Sequence, residues 1–172
     1  MNPLRVMLAA VAASLAMVAM RPVAAQTTTT ATAKPQAPRQ QQQALIDHGR
    51  YLIKVSGCND CHTPGYGPAA GKVDEKLWLT GDSLGWRGAW GTTYATNLRL
   101  YMQSHSEASW LQTARTFQPR PPMPWFNVHA MSDRDLRAIY HYVRALGPAG
   151  QPAPAYVPPG QEPAGPVVSF PG

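Results

Sequence analysis

The stretch Cys58-Asn59-Asp60-Cys61-His62 constrains this chain more than any other. Cys58 and Cys61 are its only cysteines. Spaced three apart, they share one turn, and an imidazole follows at once. Four chemistries use such a pair: a structural disulfide, half a zinc site, a thioredoxin-like redox couple, or two attachment points for a haem. A structural zinc needs two further Cys or His at a similar local spacing, but His48, His105, His129 and His141 are scattered singly. A thioredoxin motif needs a βαβ context, and the flanks show no strand runs. The haem reading uses all three residues. Each thiol adds across a vinyl group to form a thioether, and His62 offers a nitrogen to the iron as proximal ligand. One covalent haem c is therefore the expected cofactor.

The start of the chain predicts export. Arg5 precedes an unbroken run of Val, Met, Leu, Ala and one Ser from Val6 to Met20, and Val23-Ala24-Ala25 has the small residues of a cleavage site. Residues 1–25 read as a secretory signal peptide cut before Gln26. The apolar run is shorter than the ~20 residues of a spanning helix, so no membrane span is expected after cleavage; an uncleaved anchor is the alternative. The expected location is the bacterial periplasm, where haem-bound sulfurs leave no free thiol to mispair. The net charge of the whole chain is +6. Arg5 and Arg21 leave with the signal, so 13 basic and 9 acidic residues give the mature chain +4. This mild excess suits an acidic redox partner. The charges are dispersed, which argues against a nucleic-acid interface.

Composition divides the remainder. Residues 26–43 are Thr- and Gln-rich without aromatics, and read as a low-complexity linker. Residues 148–172 hold twelve Pro or Gly in 25 positions, which predicts an extended tail. Tyr156, Val157, Val167, Val168 and Phe170 in that tail favour wrapping of the domain surface over docking on a partner. Residues 44–147 form the expected folded domain.

Helical periodicity places three elements in that domain. The first runs from about Ala44 to Val55, with Leu45, Gly49, Leu52 and Ile53 at helical period. Gly49 costs ~1 kcal/mol relative to Ala, which a close helix crossing justifies; His48 is expected to be half-buried or exposed. A middle helix is predicted from Ser104, with Glu107 completing a capping box, Trp110, Leu111, Ala114 and Phe117 buried, and Pro119 at its end. The last helix begins at the N-cap Ser132, carries Asp133 and Asp135 in its first turn, and stops at Gly147-Pro148. Leu136, Ile139, Tyr140, Val143 and Leu146 form its apolar stripe. Its expected contact with Gly49 is Tyr140 or Ile139, with Arg137 and His141 facing solvent.

Between the thiol motif and the middle helix, Thr63 to Leu100 is too rich in turn residues for long elements. Trp78, Trp86 and Trp90 are expected to pack the haem pocket. An indole N–H, or Arg87, Asn97 or Arg99, is a candidate donor to a haem propionate. The sixth iron ligand has three candidates, Met102, Met123 and Met131. Met123 is favoured because Pro121-Pro122-Met123-Pro124-Trp125 makes a stiff loop; Met131 is the runner-up.

The order of these features resembles class I, monohaem c-type cytochromes. Pro121 to Trp125, together with Met131 to Tyr140, resembles bacterial cytochromes that accept electrons from periplasmic or membrane-bound dehydrogenases. Tyr94-Ala95-Thr96-Asn97-Leu98 resembles a family segment too, but Arg99-Leu100 replaces the Thr-Pro that leads into the family's next turn. The resemblance implies an all-α, cytochrome c-like fold, with N- and C-terminal helices crossing around one haem, and Met123 as the distal iron ligand. It also implies an electron carrier rather than an enzyme, with a dehydrogenase as donor and a cytochrome or oxidase as acceptor. The alternative is a haem-based gas sensor or haem enzyme with an open sixth site, for which His129 is the candidate distal group. A third reading is an anchoring subunit whose tails matter more than its haem.

Overall fold

The computed structural model describes residues 38–171. The expected signal peptide and residues 26–37 of the expected linker lie outside that range. Six helices, a three-stranded sheet and one 3₁₀ turn make up the described residues.

Helix α1 spans Pro38–Val55, so residues 38–43 of the expected linker are helical. The glutamines at 40–43 are good helix formers. Residues 38–44 are exposed, in keeping with their lack of large apolar side chains. Helix α6, Asp133–Leu146, begins at Ser132 as expected. Ser132 accepts from the Asp135 N–H, and Asp135 accepts in return from the Ser132 N–H, closing a capping box.

These two helices make the most extensive contact between elements. Gly49 sits at their closest approach. A Cβ there would overlap the Ala138 carbonyl oxygen and stand 2.7 Å from Tyr142 Cβ. The opposing residues are thus Ala138 and Tyr142, not Tyr140 or Ile139. Ile139 turns instead toward the central cavity, and the small Ala138 is what lets the backbones meet. Arg137 is exposed as expected, His141 is half-buried, and both pair with Glu107.

The middle of the chain departs further from expectation. Helix α3, Leu98–Gln103, is capped by Asn97 and ends at Ser104. Helix α4, Glu107–Thr116, has Ser106 as its N-cap, not Ser104. Trp110 and Ala114 are its buried residues, and the Trp110 indole N–H donates to the Leu136 carbonyl at 2.8 Å. A short helix α2, Cys58–His62, carries the thiol motif, and α5, Trp125–Ala130, follows the methionine loop. Ile53, Leu79, Met102, Leu136 and Val143 are among the most deeply buried residues of the core.

The fold is mostly helical but not all-α. Strand β1 (Gly85–Gly88) pairs antiparallel with β2 (Gly91–Tyr94) and parallel with β3 (Val167–Ser169), in the order β2-β1-β3. The third strand comes from the Pro- and Gly-rich tail. That tail also bridges Val157 to Thr92 and pairs Glu162 with Arg87 at 2.7 Å. It therefore wraps its own domain. Among the described residues, no helix is long and apolar enough to cross a membrane.

Candidate functional site

Backbone geometry fixes the thiol motif first. Gly57, at φ 72°, turns the chain out of α1 and caps α2, a conformation that glycine adopts without strain. Asn59 and Thr63 are buried, and they anchor this turn to the core. The Thr63 hydroxyl donates to Asn59 Oδ1 at 2.7 Å and accepts from the Leu79 N–H at 2.8 Å. Cys58 and Cys61 are left on one turn of α2, neither in a disulfide.

The imidazole of His62 is oriented by the opposite segment. Its Nδ1 lies 2.7 Å from the Thr96 carbonyl oxygen. A carbonyl only accepts, so Nδ1 carries the proton and Nε2 keeps its lone pair for a metal. Burial lowers the His62 pKa and so disfavours the charged ring, opposed in part by the Thr96 hydrogen bond. Burial pushes the free Cys58 thiol up to about 11 and raises Cys61 as well, with Asp60 adding to both. A thioredoxin-like couple needs the reverse shift, because its attacking sulfur is a stabilised thiolate. The zinc reading also lacks ligands: among the described residues, no three His, Cys, Asp or Glu side chains gather into a metal site.

Cys58, Cys61 and His62 line a cavity of about 890 Å³, near the upper end of the ~300–1,000 Å³ common for cofactor sites. All three candidate methionines, Met102, Met123 and Met131, line the same cavity. Its walls are mainly apolar and include Ile53, Trp110 and Ile139. Trp86 also lines it, and the indole Nε1 of Trp86 is buried without any protein acceptor. A buried donor without a partner costs ~1–3 kcal/mol. A group that brings its own acceptor into the cavity would relieve that cost, and a haem brings two carboxylates. Two free thiols on one turn, an imidazole with its Nε2 free, a large apolar cavity and an orphaned donor together fit a covalently attached haem.

Other residues expected at the pocket are placed elsewhere. Trp90 does not line the cavity; its N–H donates to the Trp86 carbonyl. Asn97 caps α3 and donates to the Ala149 and Gln151 carbonyls. Arg99 donates to the carbonyls of Lys76, Leu146 and Gly147. Both are buried, and their donors are already engaged in holding the end of α6 and the tail behind it. Trp78 packs edge-on against Tyr66 and donates to the Val73 carbonyl, while Arg87 forms a two-pronged pair with Glu162. His129 donates to the Phe117 carbonyl at 2.9 Å and is not part of the cavity wall. Conversely, Arg120, Pro154 and Tyr156 contribute to that wall without having been singled out as site residues. The one hint was the presence of aromatic and aliphatic side chains in an otherwise Pro- and Gly-rich tail.

A family model described as Cytochrome c matches residues 46–147. Comparison with curated proteins and with solved structures gave no significant match. The matched span is more than half of the chain, and its family binds haem covalently. It runs from α1 through the thiol motif and the methionine loop to the end of α6, the same segments that enclose the cavity. The chain therefore belongs to the cytochrome c family.

Proposed function

We propose that this protein is a periplasmic electron carrier with one haem c, attached through Cys58 and Cys61 and ligated axially by His62 and Met123. The observation that supports it is a single cavity lined by both thiols, by an imidazole whose Nε2 is free, and by the Met123 thioether. When bound, the haem supplies one-electron exchange between ferric and ferrous iron. The chain sets the terms of that exchange. The Thr96 carbonyl accepts a hydrogen bond from His62 Nδ1–H and so fixes the ring and makes Nε2 a better donor. Apolar walls exclude water, and a thioether ligand favours the reduced state, so both raise the potential. Trp86 Nε1 is the donor for a haem carboxylate, while Asn97 and Arg99 hold the frame. His129 is occupied by Phe117, which favours the carrier over a sensor or enzyme using it as a distal group.

The segments around Met123 and α6 support a dehydrogenase as electron donor, with a cytochrome or oxidase as acceptor. The pattern of residues 1–25 supports export. The test of ligation is the absorption spectrum of the purified protein, oxidised and reduced, beside Met123→Ala. A weak red-end charge-transfer band, typical of a thioether on ferric iron, is expected in the wild type and absent from the variant. A high-spin wild-type spectrum that shifts on adding carbon monoxide would instead establish an open site.

A further inference from the structure

The methionine loop is poor in backbone ties. Pro119, Pro121, Pro122 and Pro124 have no N–H to donate, so a hydrogen-bonded ladder cannot hold Met123 in place. Two side-chain contacts take over. The Thr93 hydroxyl of β2 donates to the Pro121 carbonyl at 2.7 Å. The Arg120 guanidinium lies over the Tyr156 ring, 3.8 Å from its centroid.

Tyr156 is itself held firmly, although it belongs to the tail. Its hydroxyl donates to the Trp90 carbonyl at 2.7 Å. The next residue, Val157, exchanges two backbone hydrogen bonds with Thr92, at 2.8 and 3.0 Å. Gly91 makes this approach possible. It has φ +93°, and a Cβ there would overlap the Val157 carbonyl oxygen and stand 2.9 Å from the Tyr156 hydroxyl. Tyr156, Arg120 and Met123 then line one cavity. We propose that Tyr156 of the C-terminal tail is a positioning residue for the Met123 loop, acting through Arg120. The proposal rests on the reading of Met123 as an iron ligand.

The test compares the haem-loaded wild type with Tyr156→Ala, Tyr156→Phe and Arg120→Ala. Hydrogen exchange at the Trp125 amide, which donates to the Met123 carbonyl at 2.9 Å, reports the loop directly. The red-end ferric band and carbon monoxide binding to the ferrous form report the iron. Arg120→Ala is expected to raise loop opening roughly 2- to 5-fold, the range for a partly exposed cation–π contact. Tyr156→Ala also loses the tie to Trp90, so roughly tenfold is expected. Tyr156→Phe keeps the ring and restores most of the protection. In Tyr156→Ala the red band weakens and carbon monoxide binds more readily, with far-UV circular dichroism unchanged. Wild-type exchange in Tyr156→Ala overturns the proposal, whatever the iron does. A wild type without the red band overturns the ligation reading instead, and the exchange data still decide whether Tyr156 holds the loop.

Discussion

Gly49→Ala sets two physical effects against each other. Helix propensity alone predicts a gain of ~1 kcal/mol, because Gly49 lies inside α1. The tertiary contact predicts a loss. The new methyl would overlap the Ala138 carbonyl oxygen, a backbone atom of α6 that cannot rotate away. It would also press on Tyr142 Cβ at 2.7 Å. Relief requires α1 and α6 to separate, which loosens the cluster containing Ile53, Leu136 and Val143. Overpacking of this kind costs ~1–3 kcal/mol, and a backbone obstacle places it at the upper end. The net expectation is a destabilisation of about 2 kcal/mol. With a urea dependence of ~2 kcal/mol per molar, the unfolding midpoint falls by about 1 M. Urea titration of haem-loaded wild type and variant, followed by far-UV circular dichroism, measures it. A midpoint equal to or above wild type, with an unchanged slope, would refute the close approach at Gly49.

Three further outcomes follow from buried donors and from one perturbed carboxylate. Trp86→Phe keeps an aromatic ring beside Phe170, 6.0 Å away in the wild type, but removes the orphaned N–H. Haem-loaded protein should lose ~1.5–3 kcal/mol, as for a hydrogen bond to a charged acceptor, and an unchanged thermal midpoint would rule out that use of the donor. Arg99→Met strips the donors from the Lys76, Leu146 and Gly147 carbonyls; a loss of roughly 3 kcal/mol or more is expected in thermal unfolding, with Arg99→Lys recovering only part. Asp135 has its pKa lowered, first by the Ser132 hydrogen bond and then by His48. A depressed carboxylate stabilises the fold above its unfolded pKa, and that contribution disappears as pH falls through the folded one. Asp135→Asn should therefore flatten the fall in stability below about pH 4, measured by urea midpoints across an acid series.

What could be read from the sequence was what local chemistry decides. Ser132, Asp135 and Gly147 bound the last helix by capping rules that involve only their neighbours, and α6 obeys them. The thiol motif needs only its own spacing, and α2 presents it on one turn. Ser104 and Ser106 show where that logic ends. Ser104 matches a capping box with Glu107, yet Ser104 closes α3 and Ser106 opens α4. Glu107 is taken by Arg137 and His141, partners 30 and 34 positions away. Asn97 and Arg99 were recognisable as donors in a turn-rich segment, but a donor's acceptor is a tertiary fact. Here the acceptors are the Lys76 carbonyl and carbonyls at the end of α6 and just beyond it, and no pattern within residues 97–99 points there.

The tail shows the same limit from the other side. Its composition excludes regular helix, and an extended backbone makes no hydrogen bonds within itself. Its N–H and C=O groups must then meet water or another segment. Strand β1 offers such a segment, because its pairing with β2 leaves its second edge open, and an open edge recruits a strand. Gly85 donates to the Pro166 carbonyl at 2.9 Å, and Phe170 donates to the Arg87 carbonyl at 2.8 Å. The Phe170 ring then packs beside Trp86 and Trp90. Those pairings give Phe170 ring contacts that a solvated Pro-rich tail would lack. They also join the tail to the cavity wall, since Trp86 and Tyr156 both line it. A disturbance of the tail therefore reaches the methionine loop through Tyr156 and the Trp86 donor through Phe170, two routes that Tyr156→Ala and Phe170→Ala would separate.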